Sequence, residues 1–461
     1  MWRRHFFSFF CCRAIFLLVM VASGVAAGNG LRGGGDEWLA RFQAWHKENE
    51  FRALAKSNSA NLAWFEAPLL RSYLYLFSAT GDTFWLERFV FHSDSILRMM
   101  RDVPDTGYFW PGYADGFLGW GTTVYDPAGF YQEYLVHDAV ICLPLVRFVL
   151  MVYQDKGLQA RFKERADFYR SVVEKEVVGK WYASWNARRG EGGELERFGG
   201  WRFVPLNQFL AFGELLALLK KVHSLPAEQG VRGVVPVSFY TAVPESMAQV
   251  FFQSLVLDLR NDAWVWGHWA GYGFGKRVED ISHANIDISF AIAMTEQGCE
   301  FCAADLARFA RTLLRVVKAE DSSGVFLYRF VNGSGPKDSI LLLESWVRLG
   351  RFAPDVYGLV AELLRQIPVT RMNVSMAVTT AVLVLEMKKK EDEERADVDR
   401  AEGRVAQDGV AGSKGGILIA GENGAKGVTV FDVSGRRCRA GAGAGVYFRF
   451  GRRGSGKVVV Y

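Results

Sequence analysis

The residues best able to do chemistry in this chain lie where a glycine-rich turn leads into a helix. Glu279, Asp280 and His283 fall within five positions, and Asp287 follows one helical turn later. If Asp280 caps the helix, His283 takes the third helical position, beside unsatisfied backbone N–H groups. The positive helix end disfavours an imidazolium ion, so we expect a neutral ring that can accept a proton. The alternative is that Asp280 only caps the helix and His283 is a hydrogen-bonded core residue.

Two other helix starts could supply polar groups to the same place. His137 and Asp138 begin a helical pattern that continues with apolar residues, shortly after Tyr131. Asn207 follows Pro205 at another helix start, where it could bind a ligand or simply begin the helix. The predicted catalytic residues are Glu279, Asp280 and His283 at the first helix start, with His137 and Tyr131 at the second.

Aromatic residues are concentrated in the glycine-rich loops around these positions. The longest such loop covers residues 102–127, and a loop of that length in a compact domain is usually functional or disordered. Its aromatic density argues against disorder, so we expect it to form one wall of a cleft. Flat aromatic faces suit sugar rings, although some of these side chains must be ordinary packing. The predicted substrate-binding residues are Asn207, Arg277, Trp110, Trp120, Trp185, Trp266, His268 and Trp269.

A bound metal or other cofactor is not expected. Glu279 and His283 are four residues apart on one helix face and could share a metal ion, but an ordinary polar contact is the commoner explanation. Cys299 and Cys302 form a single C-x-x-C pair without a second pair at zinc-site spacing. A local disulfide or two plain thiols therefore explain them better than zinc.

The elements that must position these residues are mostly helices. Residues 36–387 contain about a dozen segments with helical spacing of apolar residues, arranged mostly as hairpins with glycine-aromatic loops between them. The segment Asp280–Met294 is apolar nearly all round and leaves only a narrow polar stripe. A dozen paired helices can close into a ring with such helices on the inside. The predicted fold is mainly α, an (α/α) toroid of about six helical hairpins followed by a small C-terminal β-sandwich-like module.

Both ends of the chain carry signals of another kind. Residues 1–27 have a basic start, an apolar centre and a small-residue cleavage site, which predicts a signal peptide; an uncleaved membrane anchor is the alternative. Without the three arginines of this segment the formal charge falls from +5 to +2, because 5 − 3 = 2, so we expect no nucleic acid partner. Residues 388–416 form a charged and then glycine-rich linker, and residues 417–461 show strand patterns.

Two resemblances follow from these segments. The body resembles the α/α-toroid carbohydrate-active enzymes, the six-hairpin glycosidases and toroidal polysaccharide lyases, at three motifs: Thr80-Gly81-Asp82, Pro205-Leu206-Asn207, and Glu279-Asp280-Ile281-Ser282-His283. The tail resembles the C-terminal sorting domain of type IX secretion, through Val428-Thr-Val-Phe-Asp-Val, Ala444-Gly-Val-Tyr-Phe and the closing Lys457-Val-Val-Val. The second resemblance implies export through the periplasm to the cell surface or medium, with the secretion machinery as partner. A small β module for binding or dimerisation is the alternative.

The first resemblance implies a polysaccharide or oligosaccharide substrate and leaves two reactions open. Elimination on a uronic-acid polymer needs a carboxylate neutraliser, a base and an acid; Asn207 with Arg277, His283 or His137, and Tyr125 or Tyr131 could supply them. Hydrolysis needs two carboxylates about 5–9.5 Å apart, drawn from Glu279, Asp280, Asp287, Glu133 and Asp138. We favour the lyase slightly, because histidine, asparagine and tyrosine gather at the same loop-to-helix junctions. A uronate epimerase and a non-catalytic polysaccharide-binding surface protein stay open.

Overall fold

A computed structural model describes most of the chain. It covers residues 34–411, with gaps at 53, 55–57, 103–115, 126–128, 130, 188–204, 226–233 and 271–276, together with five short strands beyond residue 411. The chain divides into two compact units, Met1–Lys389 and Lys390–Tyr461. The predicted signal peptide and Trp110 lie outside the described residues.

Most of the described residues are helical, as the sequence predicts. The helices are α1 (Gly34–Asn49), α2 (Ser59–Asn61), α3 (Ala67–Thr80), α4 (Phe84–Leu97), α5 (Leu135–Gln154), α6 (Lys156–Val172), α7 (Gly179–Ala187), α8 (Leu206–His223), α9 (Phe239–Ser254), α10 (Ile281–Glu296), α11 (Ala303–Arg311), α12 (Glu344–Arg348), α13 (Asp355–Arg365) and α14 (Val374–Ala411). Turns of π-helix join α2 to α3 (Leu62–Glu66) and α6 to α7 (Val173–Val178), and a third follows α11 (Thr312–Val317). The glycine and aromatic residues of 181–201 predict a second loop, but its first part is helical, because α7 continues to Ala187.

Short antiparallel strand pairs connect the helices. The strands of the first unit are β1 (Arg101–Asp102), β2 (Leu118–Gly119), β3 (Gly121–Thr122), β4 (Gln132–Glu133), β5 (Leu255–Asp258), β6 (Ala263–Trp266), β7 (Lys318–Asp321) and β8 (Gly324–Leu327), and each pairs with its neighbour in that order. The apolar spacing of residues 244–259 predicts one helix, but α9 ends at Ser254 and β5 begins at Leu255, so that prediction is corrected. In the second unit, β9 (Ile417–Leu418), β10 (Val430–Asp432) and β11 (Arg437–Cys438) form one sheet, and β12 (Val446–Arg449) pairs with β13 (Lys457–Val460).

The core of the first unit is built around α5, α8 and α10. Every residue of α10 from Ala284 to Met294 is buried, in keeping with a helix whose sequence is apolar nearly all round. Gly213 of α8 lets these helices approach closely, because a Cβ there would lie 2.7 Å from Met247 Sδ and 2.8 Å from Phe290 Cε2. Among the described helices, α5 alone is long and apolar enough to cross a membrane by length and composition, and most of it is buried within the bundle.

A buried polar network joins five helices that are distant in sequence. Arg71 of α3 binds the carboxylate of Glu344 on α12, and Tyr75 of α3 donates to the same carboxylate. Arg147 of α5 donates to Tyr75 and to Glu214 of α8. Ser289 of α10 also donates to Glu214, at 2.9 Å. Arg71, Tyr75 and Arg147 of this network also line a cavity of about 190 Å³, together with residues of α10, α12 and α14. We call this network the polar seam.

Candidate functional site

The start of α10 holds a carboxylate–imidazole pair. Asp280 caps the helix, as predicted, by accepting hydrogen bonds from the backbone N–H groups of Ser282 and His283, each at 3.1 Å. Its second oxygen lies 2.6 Å from Nδ1 of His283. The side chain of His283 is 34% exposed, whereas that of Asp280 is nearly enclosed. The imidazole therefore meets the carboxylate on one side and solvent on the other.

The charge state of this pair differs from the sequence-based expectation. Burial lowers the pKa of His283, but the hydrogen bond and charge of Asp280 and the charge of Glu279 outweigh burial and raise the pKa above its ordinary value. Burial likewise acts to raise the pKa of Asp280, and the bonds from His283 overcome this and lower it to about 2. The helix end therefore does not lower the pKa of the ring as the sequence predicts, because carboxylate oxygens of Asp280 and Glu279 lie 2.6 Å and 3.8 Å from Nδ1 and favour the protonated ring.

A second carboxylate–imidazole pair lies beside the first. His268 follows strand β6, and its Nδ1 is 2.9 Å and 3.1 Å from the two oxygens of Glu279. Glu279 has no exposed surface and also accepts the backbone N–H of Asp280 at 3.0 Å. The rings of His268 and His283 are 5.5 Å apart between centroids. Residues 268, 279, 280 and 283 thus form one compact cluster, as the sequence analysis expected of the last three.

His137 reaches the same place from the start of α5. Its Nδ1 lies 2.9 Å from the hydroxyl of Ser59, and burial lowers the pKa of the ring to about 3. The indole of Trp64 stands edge-on to His137 at 5.5 Å and to His283 at 6.5 Å between ring centroids. Trp64 therefore connects the two predicted histidines, although it was not among the residues predicted for the site.

Two tyrosines complete this side of the cluster. The rings of Tyr125 and Tyr134 contact His137 at 5.5 Å and 5.2 Å between centroids. The hydroxyl of Tyr125 accepts a hydrogen bond from Nε1 of Trp64 at 2.9 Å, which leaves the phenol proton free to be donated. Tyr125 is half exposed. The structure thus brings Tyr125, rather than Tyr131, to His137 and to Trp64.

Asn207 and Arg277 border the cluster in different ways. Leu206, just before Asn207, donates its backbone N–H to the carbonyl of His268 at 2.9 Å, so the start of α8 adjoins the two imidazole pairs. Asn207 is buried, and its Oδ1 has no hydrogen-bond partner among the described residues. Arg277 is exposed, and its charge opposes the raised pKa of His283. Of the two, only Arg277 can meet a ligand from solvent without rearrangement.

Several predicted residues do not offer a free face. Trp120 is buried and donates its indole N–H to the carbonyl of Ile96 at 2.8 Å. Trp266 is also buried and donates to Asp287 at 2.9 Å. Both are core residues, so their assignment as sugar platforms is corrected. Of the remaining tryptophans, Trp269 is partly exposed and lies edge-on to His268, and Trp185 falls in α7 at a position whose side chain is outside the described structure.

Tyr131 is engaged elsewhere. Its hydroxyl accepts a hydrogen bond from Arg101 at 2.7 Å, and the guanidinium of Arg101 lies over its ring at 4.5 Å from the centroid. The described structure gives it no contact with His137 or His283. The proposal of Tyr131 as a catalytic acid is therefore corrected in favour of Tyr125, which the sequence had offered as an alternative.

The other carboxylates proposed for the site are enclosed. Burial, followed by the charge of Glu279, raises the pKa of Asp287 well above its ordinary value. Burial, followed by the charge of Asp138, does the same to the pKa of Glu133, against an ion pair with Lys180. Asp138 itself accepts the indole N–H of Trp181 at 2.9 Å. These carboxyl groups hold structure together and do not reach the open side of the cluster.

One group among the described residues could hold a metal ion. Donor atoms of His268, Glu279 and His283 lie within 4.8 Å of one another. Imidazole and carboxylate together suit transition metals such as zinc or manganese. In the structure Nδ1 of each of the two imidazoles faces a carboxylate oxygen.

Comparisons with other proteins leave the cluster to be interpreted on its chemistry. No family model matches the chain, and no curated protein or solved structure matches it. The imidazoles of His268 and His283 are each backed by a carboxylate, and Tyr125 has a free phenol proton. The indole of Trp64 lies between His137 and His283. Such a set can transfer protons to and from a ligand that lies against the indole.

Proposed function

We propose that this protein is a secreted carbohydrate-active enzyme, a polysaccharide lyase that cleaves a uronic-acid polymer by β-elimination. The observation that carries the proposal is the convergence of His283, His137 and Tyr125 around Trp64. Three separate parts of the chain supply these groups, and His283 is more open to solvent than any carboxylate near it. A base and an acid beside an aromatic face are what elimination from a sugar ring requires.

The proposed fold is the (α/α) toroid. Its support is the polar seam, in which α3, α5, α8, α10 and α12 exchange hydrogen bonds although they are far apart in sequence. The starts of α5, α8 and α10 meet at the imidazole cluster, and their middle turns meet at the seam. These three helices therefore run in the same direction, which is the arrangement of inner helices in a ring of hairpins.

In the proposed reaction His283 is the base. Nε2 of His283 takes the proton from C5 of the uronate, and the electron pair of the C5–H bond forms a double bond between C4 and C5. The C4–O glycosidic bond breaks, and Tyr125 gives its phenol proton to the leaving oxygen. Asp280 holds the ring of His283 through Nδ1 and makes it a stronger base. Arg277, exposed at the edge of the cluster, is placed to pair with the substrate carboxylate, the role first given to Asn207 and Arg277 together.

The carboxylates argue against hydrolysis as the first choice. A glycosidase needs two carboxyl groups in contact with the bond to be cleaved. Glu279, Asp287, Glu133 and Asp138 have almost no exposed surface, and each is bound by a neighbouring side chain. The imidazole and phenol groups face the open side instead. Glycoside hydrolysis therefore ranks below elimination, and a uronate epimerase or a protein that only binds polysaccharide are further outcomes of the same tests.

We propose further that the chain is exported. The pattern of residues 1–27 supports passage into the periplasm, and the tail at 417–461 supports onward export to the cell surface through the type IX machinery. The antiparallel pairing of β12 with β13, and of β10 with β9 and β11, is in keeping with a β tail of this kind. A variant lacking residues 417–461 should then accumulate in the periplasm of a host that carries this machinery.

The enzymatic proposal is tested on a panel of uronic-acid and neutral polysaccharides. Ultraviolet absorbance reports new conjugated double bonds, and a reducing-end assay reports hydrolysis. We expect absorbance to rise only with uronic-acid polymers, and His283→Ala and Tyr125→Phe to lower the rate by about 10² or more each. Tyr153→Phe is the control, since Tyr153 bonds Asp167 at the far end of α5. Reducing ends without absorbance would make the protein a hydrolase, and binding without either signal would make it a binding protein.

A further inference from the structure

The helical segment that carries Trp64 also lines a second cavity. This cavity has a volume of about 240 Å³, and its walls include Trp45, Asn49, Arg52, Asn61, Phe65 and Asn373. The volume is that of about eight liquid water molecules at roughly 30 Å³ each, which is room for one six-membered sugar ring. None of these residues belongs to the imidazole cluster.

The side chains around this cavity are suited to an acidic sugar. Arg52 is exposed, and no described residue forms an ion pair with it. The ring of Phe65 is 48% exposed and has no aromatic partner among the described residues. Asn61 lies four residues before Phe65, so the two share a helix face, and its amide can bond a sugar hydroxyl. A guanidinium, an open aromatic face and an amide are the groups that would hold a carboxylate, a ring and a hydroxyl.

The cavity adjoins the proposed catalytic cluster through residues 59–65. Ser59 contacts Nδ1 of His137 at 2.9 Å, and Asn61 lies two positions further on. Trp64 contacts His137 and His283, and the next residue, Phe65, faces the cavity. Trp64 and Phe65 are neighbours in the π-helical turn Leu62–Glu66, so their side chains point in different directions. Residues 59–65 therefore border both the cavity and the proposed catalytic cluster.

We propose that this cavity is a second sugar-binding subsite, in which Arg52 pairs with the carboxylate of a uronic acid residue that neighbours the one cleaved, while Phe65 supports its ring. The inference rests on the proposed function and adds a requirement to it. The enzyme should recognise a stretch of acidic polymer rather than a single linkage.

The test separates binding from turnover. Oligomers of galacturonate, of alginate and of hyaluronan, with maltohexaose as a neutral comparator, are titrated by calorimetry into the full-length His283→Ala protein, which cannot cleave them. We expect one of the acidic oligomers to bind and Arg52→Ala to weaken that binding about tenfold to a hundredfold, the range for a charge-assisted hydrogen bond. Phe65→Ala should weaken it about two- to tenfold. Arg260→Ala, an exposed arginine on the turn between β5 and β6, is the matched control.

The outcomes distinguish the two proposals. Equal affinity of the Arg52→Ala and control proteins for an acidic oligomer overturns the subsite and leaves the lyase proposal standing. Absence of binding by every acidic oligomer overturns both. Arg52→Lys should retain part of the affinity that Arg52→Ala loses, because lysine keeps the charge but not the paired donors. The disaccharide of the same acidic sugar should bind at the catalytic site alone. We therefore expect it to have the same affinity for the His283→Ala protein with and without Arg52→Ala.

Discussion

The buried ion pair between Arg71 and Glu344 gives the sharpest test of how α3 and α12 are held together. Nε of Arg71 lies 3.0 Å and 2.8 Å from the two carboxylate oxygens, and the hydroxyl of Tyr75 donates to one of them. The two charged side chains are 10% and 3% exposed. Removing one partner of such a pair leaves the other charge buried and lowers the free energy of unfolding by about 3–5 kcal/mol. Glu344→Gln keeps the shape and one acceptor, so we expect a loss of about 3 kcal/mol.

Urea unfolding followed by tryptophan fluorescence measures this loss. The control is Glu37→Gln, which breaks an exposed contact with Arg365 at 3.4 Å and should change stability by less than about 1 kcal/mol. Burial acts to raise the pKa of Glu344, but the charges of Arg71 and Arg147 outweigh it and lower the pKa below 4.5. The pair therefore stabilises the fold fully above pH 4.5, and this contribution is lost as pH falls through the lowered pKa. A loss below about 1 kcal/mol, or one that stays constant into acid, would refute the reasoning.

Three further predictions concern the site and the core. Asp280→Ala should lower the free energy of unfolding by about 1 kcal/mol through loss of the helix cap, whereas Asp280→Asn should keep most of the cap. The raised pKa of His283 contributes stability that is fully present below pH 6.5 and is lost as the pH rises through that raised pKa. Both variants should lower this pKa in an NMR titration and so remove the contribution. An unchanged pKa in both variants would contradict the pairing. Gly213→Ala should lower the free energy of unfolding by about 1–3 kcal/mol, because its Cβ would meet Met247 and Phe290, and an unshifted melting temperature would show that the core yields freely. Dialysis against a chelator should leave the absorbance assay unchanged, since the proposed reaction uses no metal; a loss of activity restored by zinc would mean that the cluster is a metal site.

Local features of the site could be predicted because the atoms involved are close in sequence. Asp280 and the backbone N–H groups that it caps are two and three residues apart, so the residue type and the start of an apolar pattern are enough. The charge of His283 could not be predicted in the same way. Its pKa depends on how Glu279 and Asp280 are oriented relative to the ring, and sequence order does not give that orientation.

Contacts between distant segments set the rest of the site. Trp64 lies in a regular apolar helical pattern, so nothing in the sequence distinguishes it from a core residue. Its position between His137 and His283 depends on how three helices pack. Trp120 and Trp266 are predicted for the site but lie in the core. A tryptophan in an open glycine-rich loop and one covered by the core have the same local sequence pattern. Only the partners of their indole N–H groups identify them as packing residues.

The polar seam and the imidazole cluster are connected through helix register. Arg147 lies ten residues after His137 on α5, and Ser289 lies six residues after His283 on α10. A slip of one turn moves a helix by about 5.4 Å, which is more than a hydrogen bond tolerates. The hydrogen bonds from Arg147 and Ser289 to Glu214 therefore fix the position of α5 relative to α10 along the helix axes, and with it the positions of His137 and His283 beside Trp64. We infer that the buried charges are retained for this register. Weakening the seam should then slow the proposed elimination under conditions in which the protein is still folded.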